Sequence, residues 1–123
     1  MKRGLMLVVL TMGSALAHHG YGEYNRDVLV SMGGTVQHVV WGNPHVLLTL
    51  RTESQGEYLV EWAALYQLSS RYGIKAAPVK EGDQVIVTGS VNKNPEKHIL
   101  TLVREIRRPA DGWRWADSRY TSK

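Results

Sequence analysis

Five histidines carry most of the chemistry this sequence can offer: His18, His19, His38, His45 and His98. With no cysteine among 123 residues, any transition metal must be held by nitrogen and oxygen, and imidazole suits copper and zinc. His18 follows Ala17, and Ala15 and Ala17 are the small residues of an A-x-A cleavage pattern. A cut there makes His18 the first residue of the mature chain. An N-terminal histidine chelates through its α-amine and its ring together, and a third nitrogen completes a T-shaped array suited to copper(II), which tops the divalent affinity order. The amine ordinarily titrates at about 7.7–8.0, so a metal displaces its proton near neutral pH. His45 is the expected third ligand, because it follows the Asn43-Pro44 turn and alternates away from Val46, Leu48 and Leu50. His19 is an alternative second ligand. Against the metal stands a simpler reading, in which the two histidines are solvated at a frayed terminus.

The other candidates point elsewhere. His38, flanked by Val36 and Val40, reads as a packed or half-buried strand residue, and His98, after a charged turn, as a solvated one. Tyr21 and Tyr24 either cover a metal or anchor the N-terminal arm, and anchoring suits their apolar bodies better. Asn43 fits a turn whose side chain bonds local backbone. There is no G-x-S-x-G, no H-E-x-x-H and no carboxylate pair divided into acid and base, so the chain is expected to bind rather than to transform. A second function needs no metal: a module for a small ligand or a periplasmic protein, with Trp41, Asn43, Trp113 and Trp115 as its contacts.

Localisation follows from the first residues. Lys2 and Arg3 precede an apolar run from Leu5 to Met12 and then Gly13 to Ala17, the layout of a secretory signal peptide. The run is far shorter than the roughly 20 residues a membrane span needs. Residues 1–17 are therefore expected to be removed, leaving a periplasmic or secreted domain over 18–108 and an arm over 109–123. The formal charge of +4 loses two of its fifteen lysines and arginines, so thirteen face eleven acids. Near balance and export both argue against nucleic acid. Arg104, Arg107, Arg108, Arg114 and Arg119, with Trp113 and Trp115, form a basic-aromatic stretch. It reads as a surface arm that touches anionic lipid headgroups or a partner, or simply as a solvated tail.

These residues need elements to position them. Val28 to Trp41 is a long strand broken by Gly33 and Gly34, a pair that marks a bulge or bend. His45–Thr52 alternates cleanly, and after a Ser-Gln-Gly turn Glu57–Trp62 returns as its hairpin partner. Leu65, Leu68 and Tyr72 recur at helical spacing before Gly73, a helix stop. Gln84–Val91 and His98–Ile106 are the last two strands. Three strands, a helix and two strands predict an all-β fold with one short helix, a five-stranded OB-like barrel whose bent first strand serves both halves. A split sandwich is the alternative.

The Ala-His-His junction, Gly34-Thr35-Val36, Trp41-Gly42-Asn43-Pro44-His45 and Gly82-Asp83-Gln84-Val85 through Gly89 together resemble DUF6152, a family of small exported bacterial proteins of unknown function. The resemblance covers nearly all of the mature chain before Pro109, and it implies the same placing of the double histidine beside the Asn-Pro-His turn. The chain differs from the pattern in two places. Ala63, Ala64 and Leu65 follow Trp62 where the family tends to carry an acid, the nearest being Glu61 before it, and the Trp113-Trp115 tail is its own. The N-terminal sequence of the exported protein is expected to begin at His18. A start at any other residue removes the basis for an amine ligand.

Overall fold

The computed structural model describes residues 21–120, so His18 and His19 lie outside the described residues. Six strands and one helix follow a 3-10 turn at Tyr21–Glu23: β1 (Val30–Val40), β2 (His45–Thr52), β3 (Glu57–Ala64), α1 (Leu65–Tyr72), β4 (Gln84–Val91), β5 (Ile99–Arg108) and β6 (Trp113–Ala116). β1 pairs with β2 and β4, β2 with β3, and β4 with β5, all antiparallel. A short parallel pairing of β3 with β5 then closes the ring. The fold is all-β with one short helix, in the OB-like order expected from the sequence.

Closure depends on β1 belonging to two halves of the sheet. Val30–Thr35 pairs with β4, whereas Gly34–Val40 pairs with β2, so Gly34 and Thr35 pair on both sides. A side chain cannot pass at this crossing. A Cβ on Gly34 would lie 2.9 Å from Leu50 Cγ and closer still to the Arg51 carbonyl oxygen, while one on Gly33 would meet nothing nearer than 3.9 Å. Only the second glycine of the pair is therefore required by space.

A β-bulge lies two residues further on, between Val36 and His38. Two residues of β1 there oppose one of β2, which reverses the alternation beyond it. Val36 is buried, Val39 packs against the core, and His38 and Val40 face outward. This corrects the expectation of a packed His38: its ring is exposed, with Nδ1 3.5 Å from the exposed Glu81 carboxylate.

Inside the ring, Val46, Leu48 and Leu50 meet Val60, Val85, Val87, Leu100 and Ile106, all essentially inaccessible to solvent. α1 covers one end through Leu68 and stops at Gly73, whose left-handed backbone (φ 67°) lets the amides of Gly73 and Ile74 reach the carbonyls of Ser69 and Leu68. Within the segment expected as a surface arm, Trp113–Ala116 forms β6. It pairs with β5 from Glu105 to Arg108 and buries Trp115 to 6% exposure.

Arg108 holds this addition in place. Its guanidinium donates to Asp83 at 2.9 Å, to the Pro78 carbonyl at 2.8 Å and to Asp111 at 3.0 Å, and it lies 5.3 Å from the Trp113 ring centre. Burial alone would push the Asp83 carboxyl up, but the Lys80 amide and Arg108 outweigh it and hold the group below its ordinary value. Gly34→Ala is expected to lower stability by about 2–3 kcal/mol through overpacking, with Gly33→Ala near neutral. Urea unfolding of the two variants checks this, and equal midpoints would contradict the assigned crossing.

Candidate functional site

The ring is weakest where parallel strands meet. β3 and β5 pair only at Leu59 with Ile99 and Val60 with Leu100, and beyond that point they part. β5 is longer than its partner requires there: Ser90 faces Thr101 but Thr88 faces Glu105, so β5 carries extra residues between them. Leu102 sits in this stretch with φ 49°, in the left-handed region, which is rare and costly for a large side chain. The strands that separate leave a cleft of about 610 Å³, within the range of about 300–1,000 Å³ typical of small-molecule sites.

The cleft is lined by Tyr24, Asn43, His45 and Glu61 among others. His45 is exposed at the start of β2, on the face opposite Val46 and Leu48, as its alternation implied, and its ring makes no hydrogen bond among the described residues. The Asn43-Pro44 peptide before it is cis. Glu61 points outward between buried Val60 and Trp62 and accepts a hydrogen bond from Thr101 Oγ1 at 3.2 Å. Tyr24 is bridged to Asn92 on the strand that leaves β4. Burial first, and then the Glu61 charge, push its phenol up, so at neutral pH Tyr24 is a proton donor and not a phenolate.

Three arginines also line the cleft: Arg71 on α1, Arg104 on β5 and Arg119 in the tail, the last two paired with Asp117. Arg104 Nη1 donates to Asp117 Oδ2 at 3.3 Å, Arg119 Nη2 donates to the same oxygen at 3.2 Å, and the Arg119 amide donates to Oδ1 at 2.9 Å. Burial pushes the Asp117 carboxyl up, but the Arg119 hydrogen bonds and the Arg119 and Arg104 charges prevail and hold it below its ordinary value. Arg71 has no hydrogen bond or ion pair among the described residues.

Trp62, Tyr72 and Trp115 give the cleft an aromatic wall. Trp62 packs edge-on against Trp41, Trp113 and Trp115 at 6.1, 6.5 and 5.4 Å, and Tyr72 packs against Trp115 at 5.3 Å. The Tyr72 hydroxyl accepts the Ser118 amide at 2.9 Å, which ties the tail to α1. The indole N–H groups of Trp62 and Trp115 are buried without an acceptor among the described residues. Edge-on contact, which sets a positive ring edge against a negative ring face, offsets part of that cost.

Of the residues singled out in the sequence, Tyr24, Asn43, His45, Arg104, Trp115 and Arg119 line the cleft. Trp41 and Trp113 are half-buried behind it. The tryptophans of the tail are thus packed inward, and its arginines are answered by acids: Arg107 and Arg114 by Glu105 at 3.1 and 2.6 Å, Arg108 by Asp83 and Asp111, Arg104 and Arg119 by Asp117. Sequence reasoning missed Glu61, Arg71, Tyr72 and Asp117 as lining the same cleft as His45. Their signal was present only in part, in the outward alternation of Glu61 and the late-helix position of Arg71. His98, expected to be solvated, is exposed, stacks on Tyr58 at 4.7 Å and engages the Glu57 carbonyl at 3.0 Å. Among the described residues no group of three or more histidine, aspartate or glutamate side chains could hold a metal.

The fold is a small ring-shaped β-domain with a cleft beside its parallel seam. The chain belongs to DUF6152, a family of unknown function, whose sequence model matches residues 6–101. No curated protein matches it. The matched span includes His45, Glu61 and Arg71, whereas Leu102, Arg104, Trp115, Asp117 and Arg119 lie beyond it.

The pH dependence contributed by Asp117 has a defined sign. Because the folded pKa of Asp117 is lowered, its contribution is complete above the ordinary value of 3.8 and is lost as pH falls through the lower folded value. Asp117→Asn is expected to flatten the fall of stability below pH 3.8 by up to one proton's worth of slope. Urea unfolding between pH 7 and pH 2, within about that acid range, reads the difference. Parallel curves for the variant and the parent would contradict it.

Proposed function

We propose that the chain is an exported periplasmic binding protein, not an enzyme, and that the cleft at His45 is its site. In this reading it coordinates copper(II) through the α-amine and ring of His18, exposed by cleavage after Ala17, with His45 as a further ligand and His19 as an alternative one. The observation that supports it is the position of Tyr24. Tyr24 lies six positions after His18 and lines the same cleft as His45. Six residues of chain reach up to about 20 Å, long enough for an amine at His18 to meet the imidazole.

The chemistry of the donors fits. The ring nitrogens of His45 make no competing bond among the described residues, and nitrogen ligands suit copper(II) in a tetragonal field. Tyr24, held as a neutral phenol beside Glu61, serves as a cover for the site and not as an anionic ligand. A metal-free reading, a small-ligand module, is favoured by the volume and the mixed lining of the cleft.

Copper(II) titration of the processed protein, followed by electron paramagnetic resonance, is expected to give a tetragonal spectrum with nitrogen couplings. One residue added before His18 is expected to change the spectrum, and His45→Ala, which removes a ligand, to weaken binding by at least the roughly tenfold that loss of an outer-shell partner costs. Identical spectra with and without the added residue would overturn the amine ligand.

A further inference from the structure

The arginines of the cleft have no role in the proposed copper site. Three guanidinium groups, Arg71, Arg104 and Arg119, line the cleft, and Arg104 and Arg119 share the carboxylate of Asp117. A guanidinium has five donors, and Asp117 occupies few of those on Arg104 and Arg119 and none on Arg71. Outside the cleft, Arg107, Arg108 and Arg114 face three carboxylates, Glu105, Asp83 and Asp111. Within it the three arginines face two, Asp117 and Glu61, so the positive charge left over in this region lies in the cleft, beside the apolar surfaces of Trp62, Tyr72, Val103 and Trp115.

From this arrangement we infer that the cleft binds an organic carboxylate, with Arg71 meeting the anionic head and the aromatic wall taking an apolar body. Arginine is suited to the head because its planar fork matches a carboxylate in bidentate geometry. A free inorganic anion would leave most of the roughly 610 Å³ and its apolar wall unused. A nucleic-acid backbone would need a track of unpaired positive charge, which the ion pairs of β5 and β6 have removed. The strained Leu102, φ 49°, lies in the same lining, and such strain gathers at ligand sites. A free metabolite and the C-terminus of a peptide offer the same chemistry at the head. The inference rests on the reading of the chain as a binding protein but not on copper.

The test uses the processed full chain, stripped of metal with a chelator. Naphthalene-2-carboxylate, naphthalene-2-methanol, acetate, inorganic phosphate and a short peptide ending in phenylalanine are titrated against tryptophan fluorescence and calorimetry. The carboxylate is expected to bind saturably, and the neutral alcohol about tenfold more weakly, the effect of losing one charge-assisted pair. Acetate and phosphate are expected to bind more weakly still. Arg71→Gln is expected to reduce the carboxylate's affinity by a similar factor of about ten with an unchanged thermal melt, and Arg107→Gln to leave it unchanged. Tighter binding of the peptide than of naphthalene-2-carboxylate assigns the head to a peptide terminus, and the reverse to a free acid; either supports the inference. Equal affinity for acid and alcohol, phosphate binding as tightly as the naphthoate, an Arg71→Gln variant that binds normally, or no saturable binding of any probe would overturn it. Copper titration of the same sample reads the metal proposal separately, so failure of one leaves the other measurable.

Discussion

The fold depends on one crossing, where β1 passes from β4 to β2 at Gly34 and Thr35. Its consequences are geometric. β1 runs antiparallel to both neighbours, β3 runs antiparallel to β2, and β5 to β4, so β3 and β5 must run in the same direction. The seam that closes the ring is therefore parallel by necessity, with hydrogen bonds slanted and slightly weaker per residue than antiparallel ones. Only two residue pairs form there. A ring that closes in this way has a built-in opening, and the cleft occupies it.

The strands on either side are adapted to that opening. β5 takes in extra residues and turns at Leu102, which separates its second half from β3 and frees it to pair with β6. β6 then supplies Trp115 to the wall, and Asp117, just beyond it, collects two of the three arginines. Arg108 makes this addition firm by joining the β5–β6 turn at Asp111 to Asp83 ahead of β4. The exterior arginines are consumed in such ties, and this explains how a chain of formal charge +4 carries no open basic face along β5 and β6.

Much of the fold was legible because alternation is a local property. His45–Thr52 and Gln84–Val91 coincide with β2 and β4, since both strands keep one buried face throughout, and Gly73 ended α1 as its spacing implied. What failed was non-local. The bulge after Val36 is set by the register of β1 against β2, so no pattern within β1 could show that His38 turns outward. β6 is short and reads as charged and aromatic; only its pairing with β5 makes it a strand. The cleft was half legible. His45 was placed correctly by its strand, but Arg71, Asp117 and Glu61 come from three separate elements, and the seam that gathers them is a property of the closed ring.

Site and core share residues, which limits how the site can vary. The chain has no phenylalanine and four tryptophans, and these large rings cluster at the seam, whereas the centre of the ring is packed with valine, leucine and isoleucine. Trp62 and Trp115 are at once the wall of the cleft and two of the most voluminous buried side chains, at 4% and 6% exposure. Removing either ring opens a cavity that costs about 3–5 kcal/mol, a large part of the stability of a small domain. The rim is under no such constraint. His45 and Arg71 are exposed and contribute little to packing. Substitution that leaves the core intact is therefore confined to the rim, while the aromatic wall is fixed by the need to close the ring.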